Sequence, residues 1–144
     1  MIHEFRTYEL KQGQVPEYQK RFADKLQGRL EFSPLGGHWY SEVGPLNQVI
    51  ALWPYENMEQ RAVIRSEAES TGQWTPGTSD LVINVKSELY VPAPFMKPLE
   101  PREIGPIYEM RLYTYLPEHI LDVVQIWSEL IVAREKLSPL AGCW

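Results

Sequence analysis

The chain repeats itself, and this constrains its fold more than any other feature. IHEFRTYEL at residues 2–10 recurs as IYEMRLYTY at 107–115, and FSPLGGHW at 32–39 recurs as LSPLAGCW at 137–144. Both matches lie at one offset, 105 residues (107 against 2, 137 against 32), so the segments between them have equal length without a gap. Inside those segments Val15, Tyr18, Phe22 and Leu26 fall over Ile120, Val123, Trp127 and Ile131. That spacing puts each set on one face of a helix, with Glu17, Lys20, Arg21 and Asp24 off its centre.

The first copy continues beyond the match. Residues 2–10 alternate as a strand, about 14–31 form a helix entered at Pro16, and SPLGG turns the chain into a strand at 38–44. GPLN makes a turn, and NQVIALWPY at 47–55 returns as the second arm of a hairpin. Asn57 with Gln60 has the form of a capping box ahead of a helix over about 58–70, and Gly72 is its expected terminator. DLVINVKSELYV at 80–91 supplies the last strand. The order β-α-β-β-α-β is that of a ferredoxin-like α+β unit, an antiparallel sheet with both helices on one face and the other face bare.

Three segments follow: a unit over 1–91, a linker over 92–106 and a partial second copy, strand plus helix, over 107–144. The linker PAPFMKPLEPREIGP holds five of the twelve prolines, which cannot donate to a ladder and favour extended backbone. An unfinished copy also carries an unpaired strand and an apolar helix stripe, so homodimers or higher homo-oligomers are the expected partners.

Composition excludes several classes. Fourteen basic against nineteen acidic residues, with no Lys/Arg cluster, argue against nucleic acid. No apolar run approaches the roughly 18 residues of a membrane span, and the opening residues lack a signal peptide's apolar core, so a cytoplasmic location is expected. The single cysteine, Cys143, precludes an intrachain disulfide and any multi-cysteine metal site. His3 and His119 lack ligand spacing, and no glycine-rich phosphate loop or nucleophile elbow occurs, so neither a metal nor another cofactor is expected.

The segments IHEFRTYELKQG and FSPLGGHWYSEVGPLNQVIALWPYENMEQRAVIRSE resemble the NIPSNAP family, with SPLGGHW, EVGPLNQV and LWPYEN carried in order. The resemblance implies a dimeric α+β barrel, in which two ferredoxin-like units pair through their sheets. It implies no agreed reaction. Other barrels of this kind include monooxygenases, isomerases and haem-degrading proteins, which makes a cofactor-independent enzyme one expectation and a non-catalytic interaction or assembly module the alternative.

The candidate site comes from strand alternation. Glu4, Arg6 and Tyr8 recur as Glu109, Arg111 and Tyr113, whereas Phe5 and Thr7 become Met110 and Leu112. The variable, greasy set is expected against the helices and the identical set toward the bare face, the lumen of a barrel. There Arg6 supplies a fork of donors, Glu4 a base and Tyr8 a phenol, unless Glu4 and Arg6 simply form a structural ion pair. His38, with Tyr40 on the same face, is the natural proton carrier of the second strand, although Cys143 replaces it in the second copy. Trp53 and Tyr55 form either an aromatic wall for a small hydrophobic or aromatic ligand or ordinary core.

Overall fold

Unbroken alternation makes Ile2–Leu10 a nine-residue strand, β1, in the computed structural model, which describes residues 1–72, 74, 76–100, 102 and 104–144. Gly13, at φ 77°, turns the chain into α1, Val15–Leu30. Pro16 sits in the first turn, where its missing N–H has no partner to lose. Glu17 near the N-terminus and Arg29 in the last turn complement the helix dipole. Strands β2, Gly37–Tyr40, and β3, Gln48–Tyr55, form the hairpin. β2 is shorter than its sequence pattern predicts, because the turn begins at Ser41. There the Ser41 hydroxyl accepts from the Gln48 N–H at 3.1 Å, and Gly44 and Asn47 adopt positive φ.

Helix α2, Met58–Ser70, is capped as the sequence predicts: the Asn57 side chain accepts from the Gln60 N–H at 2.8 Å. The Gln60 side chain reaches back to the Glu56 N–H at 2.7 Å, one residue earlier than in a standard capping box. Strand β4, Val82–Tyr90, completes a four-stranded antiparallel sheet of order β2-β3-β1-β4, so β1 is central and β2 and β4 are the edges. This is the expected ferredoxin-like α+β unit.

Register decides which residues meet the helices. Glu4 opposes Trp53, Arg6 opposes Ala51 and Tyr8 opposes Val49 on β3, and His38 also opposes Ala51. Val49, Ala51, Trp53 and Tyr55 join Tyr18 and Phe22 of α1, with Leu10 and Leu81, in one buried cluster. Each of those large side chains contributes roughly 1.5–3 kcal/mol by leaving water. The identical set of β1 therefore faces the helices and not the opposite side of the sheet, which corrects the orientation predicted from variability. The reason is polar: α2 brings Arg61 and Arg65 over β1, so this face needs a carboxylate. The opposite face carries His3, Phe5 and Leu52, all buried, and Phe5 meets Tyr90 edge to face at 5.4 Å.

The chain divides into two compact units, Met1–Val91 and Pro92–Trp144. The second contains a 3-10 turn, Pro117–His119, and a helix α3, Ile120–Glu135, which begins and ends 105 residues after α1 (120 against 15, 135 against 30). The strand predicted over 107–115 does not form, since those residues join no ladder. In the first unit, by contrast, β1 is paired on both sides, by β3 and β4. The start of the linker is not free, however: the Ala93 N–H donates to the Cys143 carbonyl at 2.9 Å and Lys97 pairs with Glu135 at 2.8 Å. Among the described residues no helix is long and apolar enough to cross a membrane.

One local motif is built twice. The indole of Trp39 folds back onto Gly37, and that of Trp144 onto Gly142, so closely that a Cβ on either glycine would overlap the ring. This is why the second glycine of SPLGG is kept in SPLAG while the first is not.

Candidate functional site

The centre of the site is Glu4, fully buried on the helix side of the sheet. Helical periodicity places Arg61 and Arg65 of α2 one turn apart above it, and β4 places Ser87 beside it. Arg61 grips both carboxylate oxygens, Nη2 to Oε1 at 2.6 Å and Nε to Oε2 at 3.1 Å. The Ser87 hydroxyl donates to Oε1 at 2.6 Å, Arg6 Nη1 lies at 3.2 Å and Arg65 Nη1 at 3.9 Å. Burial alone would raise the Glu4 pKa. The hydrogen bonds from Arg61 and Ser87, with the charges of Arg6 and Arg61, reverse this and bring it down to about 2. A carboxylate held this way is a weak proton acceptor, and it orients arginines.

Arg6 is the link to the next layer. Its Nε donates to the Tyr8 hydroxyl at 2.8 Å, and the Tyr8 ring lies 5.3 Å from that of Tyr18. Burial raises the pKa of Tyr18, so its phenol stays protonated.

Arg29 forms a second buried cationic group that our sequence reading missed. Its Nη1 donates to Ser33 Oγ at 2.7 Å and Nη2 to the Tyr55 hydroxyl at 3.0 Å, while its guanidinium stacks on Trp53 at 4.3 Å and approaches Trp74 at 6.0 Å. Burial lowers its pKa, and burial raises that of its partner Tyr55. The internal repeat carried the signal, since Arg29 and Ser33 recur as Arg134 and Ser138.

A cavity of about 460 Å³ opens between these groups. Trp53, Trp74 and Tyr8 give it aromatic walls, Arg6, Arg29 and Arg65 give it cations, and Glu69 is its carboxylate. Of the residues predicted from sequence, Arg6, Tyr8 and Trp53 line it directly. Glu4 stands behind Arg6 and Tyr55 behind Arg29. His38 lies to one side, its ring stacked on Phe22 at 4.3 Å and its Nε2 enclosed with no hydrogen-bond partner among the described residues. Burial lowers the His38 pKa, which keeps the imidazole neutral. Tyr40 is half exposed near the end of β2, and is not among the residues that line the cavity. Among the described residues no group of His, Cys, Asp and Glu has the arrangement of a metal site.

Comparison with known proteins places the chain. The NIPSNAP family model matches residues 3–97. A protein NipSnap homolog of Dictyostelium discoideum is 34% identical over 86 residues, 60% of this chain and 39% of that one, so the chain spans well under half of that relative's length. A crystal structure of an uncharacterized NIPSNAP domain protein from Burkholderia xenovorans is 33% identical, with a TM-score of 0.62 over 66% of this chain and 97% of its own. A putative antibiotic biosynthesis monooxygenase from Nitrosomonas europaea has a TM-score of 0.51 at 12% identity, covering 63% of this chain and 97% of its own, a likeness of fold alone. With a family model matched across both the sheet and its two helices, this chain belongs to the NIPSNAP family.

Proposed function

We propose that the first unit binds a small flat aromatic molecule in the cavity between its sheet and helices, and that the chain works as a homo-oligomeric α+β barrel. The cavity carries this reading: two indoles in edge-to-face contact and the Tyr8 phenol line it and are suited to a planar ring, and the guanidiniums of Arg6, Arg29 and Arg65 line it with them. In a reaction without a cofactor, Arg6 is the group placed to hold negative charge developing on the ligand, with Tyr8 beside it as a hydroxyl donor. Glu4 serves by orienting Arg6. His38, stacked on Phe22, is not among the residues that line the cavity and is left out of this reading.

The test is a titration of the full chain with 2-naphthamide, a neutral flat probe, followed by tryptophan fluorescence. Saturable quenching that weakens at least tenfold in Trp53→Leu supports the reading. Absence of binding, or binding indifferent to Trp53, overturns it.

Assembly without catalysis is the second reading, and one observation favours it. The edge strand β4 exposes Ile83, Val85 and Leu89, and residues 107–116 expose Ile107, Met110 and Leu112. Unprotected apolar edges of this kind recruit further strands. The double variant Val85→Lys, Leu89→Lys should shift the native mass spectrum toward monomer, and an unchanged subunit count rejects the β4 edge as the contact.

A further inference from the structure

We propose that the cavity of the first unit is a receptor for a planar aromatic anion, a carboxylate or an equivalent ionised group, and that Arg29 receives its charge. This rests on the reading that the cavity binds a flat ligand, and adds the ligand's charge and the residue that selects it.

The argument is one of unbalanced charge. Four guanidiniums line or back the cavity, those of Arg6, Arg29, Arg61 and Arg65, against two carboxylates, Glu4 and Glu69. The whole chain carries a net charge of -5, so a surplus of cations at a buried site runs against its own composition. Arg6 and Arg61 share Glu4, and Arg65 lies between Glu4 and Glu69.

Arg29 is treated differently. It is 2% exposed, yet among the described residues no carboxylate lies within ion-pairing distance. Its bonded partners are neutral oxygens, those of Ser33 and Tyr55. The C-terminal end of α1 contributes roughly half an elementary negative charge, which offsets the guanidinium only in part.

A buried cation without a counter-ion is costly, and proteins retain few of them. Arginine has five N–H groups, and the two bonds to Ser33 and Tyr55 leave donors for a further acceptor. Because its guanidinium stacks on Trp53 at 4.3 Å, with Trp74 at 6.0 Å, and is bonded to Ser33 and Tyr55, it is oriented before any ligand arrives. A planar acid can therefore place its ring against the indoles and its charged end on the Arg29 fork, which matches a carboxylate in geometry. A neutral aromatic of the same shape fills the same space but leaves the charge uncompensated.

The test compares 2-naphthoate with 2-naphthamide on the full chain, by tryptophan fluorescence and titration calorimetry. We expect 2-naphthoate to bind at least tenfold more tightly, and Arg29→Gln, checked for folding by circular dichroism, to bring the two probes within a factor of two. Equal binding of both probes by the natural chain overturns the charge assignment while leaving the flat-ligand reading intact. Binding of neither overturns that underlying reading. A preference that survives in Arg29→Gln moves the charge to Arg6 or Arg65 and overturns the role of Arg29. Should Arg29→Gln fail to fold, Arg29→Lys keeps the charge and loses the fork. Its preference for 2-naphthoate should fall at least threefold, and an unchanged preference overturns the assignment.

Discussion

Replacing Glu4 with glutamine isolates the value of its charge. The side chain keeps its size, but an acceptor of several bonds becomes partly a donor, and Arg6, Arg61 and Arg65 are left facing one another. Two routes give the magnitude. The carboxyl pKa is held at about 2 against an ordinary value of 4.5, a difference worth about 3 kcal/mol at roughly 1.4 kcal/mol per unit. Independently, removing one member of a buried ion pair costs about 3–5 kcal/mol, because the remaining charge stays buried. The folded-state pKa is the lower one, so the unfolded chain takes up the proton first. The contribution is therefore complete above the unfolded pKa and is lost as pH falls through the folded one. Urea unfolding of the natural chain and of Glu4→Gln, followed by far-ultraviolet circular dichroism from pH 7 to pH 2.5, measures it. The gap should be about 3 kcal/mol at neutral pH and should narrow below the unfolded carboxyl pKa. A gap that stays constant with pH, or an equally stable Glu4→Gln at pH 7, would refute the account of Glu4 as the charged anchor of α2.

Other perturbations address other parts of the unit. Gly37→Ala places a Cβ against the indole of Trp39, so it should cost about 1–3 kcal/mol and red-shift tryptophan emission; unchanged emission and melting would mean the ring has another seat. Asn57→Ala removes the cap of α2 and should lower stability by about 1 kcal/mol, seen as a thermal shift of roughly 3–5 °C. No shift would place the helix start under the control of packing alone. Because burial lowers the His38 pKa, the unfolded chain protonates first and stability should decline as pH falls below the unfolded histidine value. His38→Leu should flatten that decline between pH 7 and pH 5.5, and an identical slope in the variant would locate it at other groups.

Most of the fold was legible because its signals are local. The alternation of residues 2–10, the stripe of α1 and the Asn57–Gln60 cap all act over a few positions, and each element lies where its pattern puts it. Which face of the sheet meets the helices was not legible in that way. Variable apolar residues look like core, and the inference fails here because α2 presents Arg61 and Arg65 inward, a fact of packing that strand alternation does not carry. The strand expected at 107–115 failed for a related reason: pattern describes a strand's faces, whereas a ladder needs a neighbour. Alternation grouped Glu4, Arg6 and Tyr8 on one face of β1, as the register shows, but assigned that face to the wrong side of the sheet. Arg29 escaped because a single arginine near a helix end reads as a dipole partner, and only its recurrence at Arg134 marks it out.

The Glu4 cluster also bears on the order of folding. Its partners arrive late along the chain, Arg61 from 57 residues away and Ser87 from 83. Until α2 and β4 have both docked, a central strand must carry a carboxylate toward the interior with only Arg6, two residues along the same strand, to offset its charge. A hairpin of β1 and β3 packed on α1 is thus penalised as a resting state, and the penalty is relieved only when the last strand closes. The same residue that ties the finished unit together therefore discourages the unfinished one, which favours a single cooperative transition over a stepwise assembly of its parts.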